Sequence, residues 1–112
     1  MFKLSYNINH SLLDHPDVIR FQSYLRNSST TKNLFSYIDT NHSQGLRFYI
    51  LKSQADLNKP VTHCFVTVLP IGSRLSWKVN LIQNGKLFDS MSFLYVEDVE
   101  DCLTDQLPLL FA

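Results

Sequence analysis

Residues 74–94 read RLSWKVNLIQNGKLFDSMSFL, two apolar runs separated by Asn84-Gly85. Both turn residues accept positive φ, so the spacing predicts a two-residue type I′ hairpin. Centring the turn on Asn84-Gly85 sets the pairing: Ile82 opposite Leu87, Leu81 opposite Phe88, Val79 opposite Ser90 and Trp77 opposite Ser92. One face then carries Leu75, Trp77, Val79, Leu81, Phe88 and Leu94, with Ser90 and Ser92 leaving room for the indole. The other carries Lys78, Asn80 and Asp89 with Ile82, Leu87, Met91 and Phe93. An apolar face emerges from the register the turn dictates, so local and global signals agree.

Working outward, Leu46–Lys52 reads as a strand with bulky residues on both faces, and Val61–Leu69 is strongly β-prone, closed by Pro70-Ile71-Gly72-Ser73. Leu34–Ile38 is a short aromatic strand. Phe2, Leu4, Tyr6 and Ile8 alternate with polar residues, as in a half-buried first strand. Asp14-His15-Pro16-Asp17 opens a helix, with Asp14 the expected cap, Pro16 tolerated in the first turn and Asp17 favoured by the helix dipole. Val18, Phe21 and Leu25 mark its apolar face to about Arg26, and Asn27–Thr31 ends it as a polar loop. A second helix spans Val96 to about Leu107, with Val96, Val99, Leu103, Leu107 and Leu110 forming one stripe and Pro108 expected to end it. The chain of 112 residues is therefore expected to be one α+β domain over 1–112. An antiparallel sheet of four to five strands carries an N-terminal-half helix and a C-terminal acidic helix packed against it. Short connections after residue 46 leave little room for parallel crossovers.

Charge is sorted along the chain. Residues 1–86 hold all ten Lys and Arg against four Asp, so +6. Residues 87–112 hold six acids and no base, so −6. Such a split makes a two-poled field that steers charged partners. Glu97, Asp98, Glu100, Asp101 and Asp105 place five acids in nine residues without a lysine in the helix, at roughly a few tenths of a kcal/mol of repulsion per close pair. These five are the expected partner-binding residues, with Leu109, Leu110 and Phe111 either an apolar anchor beside the acidic rim or a cap on the core.

Catalytic chemistry finds little footing. His10, His15, His42 and His63 show no two-ligand spacing, so neither a metal nor a cofactor is expected. His63 and Cys64 are neighbours on one strand, and their side chains must point to opposite faces. No serine sits in a G-x-S-x-G elbow, and three glycines exclude long phosphate-binding loops. Cys64 and Cys102 lie outside any C-x-x-C motif and read as free thiols, a single bridge between them being the other geometry the sequence leaves open. No leader-like N-terminus and no membrane-length apolar run occurs, which points to a cytoplasmic protein.

Binding is favoured over catalysis. The expected function is a small cytoplasmic inhibitor of the immunity-protein or antitoxin kind, which neutralises a basic partner, such as a nuclease toxin or a nucleic-acid-binding protein, by masking its surface. The alternative is a single-stranded nucleic-acid-binding module, since Tyr37, Phe48 and Tyr49 are interleaved with the basic residues. A third class is a small hydrolase or nuclease built around His10, His42 or His63, with Asp39 and His42 a conceivable acid–base pair.

Overall fold

The structure, a computed structural model, describes residues 11–42 and 45–112. The expected strand over residues 2–8 and His10 lie outside these. Helix α1 (Pro16–Asn27) precedes five strands, β1 (Phe35–Asp39), β2 (Leu46–Leu51), β3 (His63–Ile71), β4 (Arg74–Gln83) and β5 (Lys86–Phe93), and helix α2 (Val96–Leu110) closes the chain. The strands form one antiparallel meander in sequence order, β1-β2-β3-β4-β5. A 3-10 turn, Gln54–Asn58, bridges β2 and β3. This is the α+β architecture that the sequence predicts.

Both helices lie on one face of the sheet. Phe21 of α1 sets its ring edge-on to Phe48 and Trp77, at centroid distances of 5.0 and 5.4 Å. Val96, Val99, Leu103 and Leu107 of α2 complete a core that includes Ile50, Val66, Val79 and Leu81. Trp77, Val79 and Leu81 are fully buried, as the hairpin register requires of β4.

The hairpin itself forms as predicted. Asn84 and Gly85 adopt φ of 54° and 80°, with Gln83 and Lys86 as the closing pair. Beyond Ile82 opposite Leu87 the register departs from expectation. Leu81 pairs with Asp89, Val79 with Met91 and Trp77 with Phe93, because Phe88 is inserted as a bulge. The bulge shifts β5 by one residue, and with a side-chain period of two every later side chain changes face. Met91 and Phe93 therefore pack against the core, while Phe88 and Leu94 are exposed. The bulged register exchanges Phe88 and Leu94 for Met91 and Phe93 against the core, and sets Ser90 and Ser92 beside Asn80 and Lys78 on the polar face, Ser90 Oγ donating to Asn80 Oδ1 at 2.9 Å.

Three boundaries also move. His15, not Asp14, caps α1, its Nδ1 accepting the Asp17 amide at 3.0 Å, since Pro16 occupies the first helical position. β3 continues through Pro70 to a two-residue turn at Gly72-Ser73. Ile71 and Arg74 close that turn as a hydrogen-bonded pair, so Pro70 turns its nitrogen toward β2. β2 begins at Leu46, opposite Val68, so Pro70 lies beyond the paired residues of β2 and β3. Finally, α2 passes through Pro108 to Leu110, because burying Leu110 beside Leu107 outweighs one missing amide in the last turn.

Candidate functional site

Helix α2 divides its acids into two groups. The core stripe is Val96, Val99, Leu103, Leu107 and Leu110, all buried. At 3.6 residues per turn, Asp98, Asp101 and Asp105 fall on the opposite side of the helix, in one line along its crest. All three are exposed, and no salt bridge among the described residues involves them. Leu109, four residues past Asp105, continues that line and is 71% exposed. Leu110 and Phe111, by contrast, turn inward against the core. Leu94 and Tyr95, where the chain enters α2, are more than half exposed. The crest is thus a row of carboxylates with apolar side chains at both ends.

Glu97 and Glu100 stand on the flank toward α1 and meet Arg20. The guanidinium grips Glu100 with two bonds, from Nε and Nη2, both at 2.9 Å. Its Nη1 reaches Glu97 at 3.4 Å. This contact holds the Arg20 pKa above its ordinary value, chiefly through the bond to Glu100. Tyr24 adds a second tie, donating to the Glu100 carbonyl at 3.2 Å with Thr104 Oγ1 2.8 Å away. The five acids expected to act together are therefore brought together on one helix, but two of them also join α2 to α1.

The histidines and cysteines take separate places. His15 is a helix cap. His63 is half-buried on the sheet face away from the helices, and burial pushes its pKa down despite a bond to the Pro60 carbonyl. Cys64 points the other way into the core, where burial pushes its thiol well up. Cys102, half-buried on α2, has its thiol pushed up by burial and by Asp89 and Asp105, and its Sγ lies 3.7 Å from Met91 Sδ. Both thiols are free. Among the described residues no group of three His, Cys, Asp or Glu is placed to hold a metal ion, and no helix is long and apolar enough to cross a membrane.

The second notable surface is the sheet face that no described helix covers. Alternate positions bring Tyr37, Arg47, Tyr49, His63, Phe65 and Thr67 onto it. Tyr37 and Tyr49 stack with centroids 4.9 Å apart, and Tyr49 adjoins Phe65 at 5.8 Å. The Arg47 guanidinium lies 4.2 Å above the Phe65 ring. Phe48, taken in the sequence as one of these interleaved aromatics, is instead fully buried on the core face. The part played by Phe65 goes unseen in the sequence, although the alternation of polar and apolar residues in His63–Val68 carries the signal.

Comparison with protein-family models, with curated proteins and with solved structures finds no match.

Proposed function

We propose that the protein is a non-catalytic inhibitor of the immunity or antitoxin kind, which uses the crest of α2 to cover the basic working surface of a partner such as a nuclease. The observation that carries this reading is the line Asp98, Asp101, Asp105 and Leu109. Three exposed carboxylates have no salt bridge among the described residues, while Arg20 of α1 is committed to Glu97 and Glu100. An apolar side chain 71% exposed continues the same line. Acidic groups around an apolar anchor are what a basic groove would receive: the charges steer encounter, and the buried leucine slows escape. Catalysis has no comparable support. The Cys64 thiol faces the core with a raised pKa, and His63 faces away from it.

The test is affinity capture from the source cell at low ionic strength, with the wild-type chain and an Asp98→Asn/Asp101→Asn/Asp105→Asn variant as baits. The expected result is a basic partner, held by the wild type and lost or weakened with the variant, whose activity on nucleic acid the wild type suppresses. Equal capture by both baits refutes a role for the crest.

A further inference from the structure

We infer that the face of the sheet opposite α1 and α2 is a second binding surface, and that its ligand is single-stranded nucleic acid. This surface lies across the sheet from α2 and is independent of the crest. Its centre is a run of rings across three strands: Tyr37 on β1, Tyr49 on β2, and Phe65 with His63 on β3. Tyr37 and Tyr49 are nearly parallel, 15° apart and stacked on one another, and His63 and Phe65 lie within 26°. Tyr37, the exposed ring that ends this stack at the outer strand, offers a flat apolar platform on which a base stacks whatever its identity.

The polar groups around the rings suit a phosphodiester backbone. Arg47 lies flat on Phe65, oriented by Nε to Thr67 Oγ1 at 3.2 Å and by Nη1 to the Tyr49 hydroxyl at 3.3 Å. A guanidinium held in this way presents its remaining N–H groups beside the rings. Lys78, opposite Thr67, adds an exposed ammonium one strand further along. The one strand carboxylate on this face among the described residues is Asp39, at the outer edge opposite Arg47. The ring cluster is therefore flanked by two cations, Arg47 and Lys78, and one carboxylate, while the acids of α2 occupy the other side of the molecule. Duplex DNA keeps its bases stacked inside and cannot use the platform, so the chemistry selects single strands.

The test is fluorescence anisotropy with short labelled oligo(dT) and a duplex control, across a range of salt. Tyr37→Ser and Lys78→Gln change exposed side chains, and unchanged circular dichroism and melting check that the fold persists. The wild type is expected to bind oligo(dT) and to bind the duplex at least tenfold more weakly. Losing the Tyr37 platform should weaken binding about 5- to 100-fold, the range for one stacked base. Lys78→Gln should flatten the slope of log affinity against log salt by about 0.7, the value for one phosphate contact on a single strand. Equal affinity for duplex and single strand, or no effect of Tyr37→Ser, overturns the inference. So does the absence of binding up to about 100 μM, the weak end of nonspecific association. If Tyr37→Ser instead abolishes capture of a protein partner, the face is a protein-docking surface.

Discussion

Replacing Trp77 by alanine and by phenylalanine separates two opposing contributions at the centre of the core. Trp77 is fully buried, edge-on to Phe21 at 5.4 Å and opposite Phe93 across the hairpin. A buried aromatic of this kind removes about 150–250 Å² from water, or about 4–6 kcal/mol at ~25 cal/mol per Å². Alanine keeps the Cβ and the neighbours collapse in part, so Trp77→Ala should cost about 3–5 kcal/mol. The indole Nε1, however, is buried with no hydrogen-bond acceptor among the described residues. An unsatisfied buried donor costs about 1–3 kcal/mol. Phenylalanine removes that donor and retains a six-membered ring, at a packing loss of about 2 kcal/mol for the missing atoms. The two nearly cancel, and Trp77→Phe should lie within about 1 kcal/mol of wild type. Urea unfolding followed by far-UV circular dichroism measures both variants, and an unchanged m-value confirms comparable unfolding. A Trp77→Ala loss below about 1 kcal/mol, the range of surface changes, would refute the burial. A Trp77→Phe loss as large as that of alanine would show that Nε1 makes a bond the protein needs.

The glycines give a graded pair. Gly85 has φ of 80° and open space where a Cβ would stand, so Gly85→Ala should cost only the left-handed conformation, about 1–2 kcal/mol. At Gly45, with φ of 118°, a Cβ would stand 2.5 Å from the Val68 carbonyl oxygen, so Gly45→Ala should cost distinctly more in the same unfolding assay. Native iodoacetamide labelling read by mass spectrometry should leave Cys64 unmodified until urea is added, and Cys102 should react more slowly than an unstructured thiol, since burial raises both thiol pKa values. The His63 pKa lies below its ordinary 6.5 in the folded chain, so the unfolded chain takes up that proton first. Its contribution to stability is therefore full above about pH 6.5 and declines as pH falls toward the folded value. Unfolding measured through that window should show a shallower decline for His63→Phe than for wild type, and identical declines would refute the assignment.

The hairpin could be read from the sequence because Asn84-Gly85 states its own geometry, and β4 followed from the turn. β5 could not be read beyond Leu87. The Phe88 bulge decides whether Met91 and Phe93 or Phe88 and Leu94 meet the core, a choice between two apolar pairs that local pattern does not mark. Pro108 is a similar case, a local helix breaker overridden by the burial of Leu110. The acidic cluster was plain in the sequence, but its division was not, since Arg20 reaches Glu100 across 80 residues of chain. The ring surface was half visible. Alternation in Arg47-Phe48-Tyr49-Ile50 marks two faces, yet which rings adjoin depends on the register of three strands.

Association kinetics with the captured basic partner bear most directly on the crest of α2. The quantity to measure is the association rate against ionic strength, for wild type and for the Asp98→Asn/Asp101→Asn/Asp105→Asn variant. Exposed charges act over about 10 Å at 0.1 M salt, so steering by the crest should be strong at low salt and fade as salt rises. The wild type should associate about tenfold or more faster than the variant at low salt, with the two rates converging at high salt. Equal rates and equal salt slopes would contradict the proposal and leave Asp98, Asp101 and Asp105 as a solvated helix face.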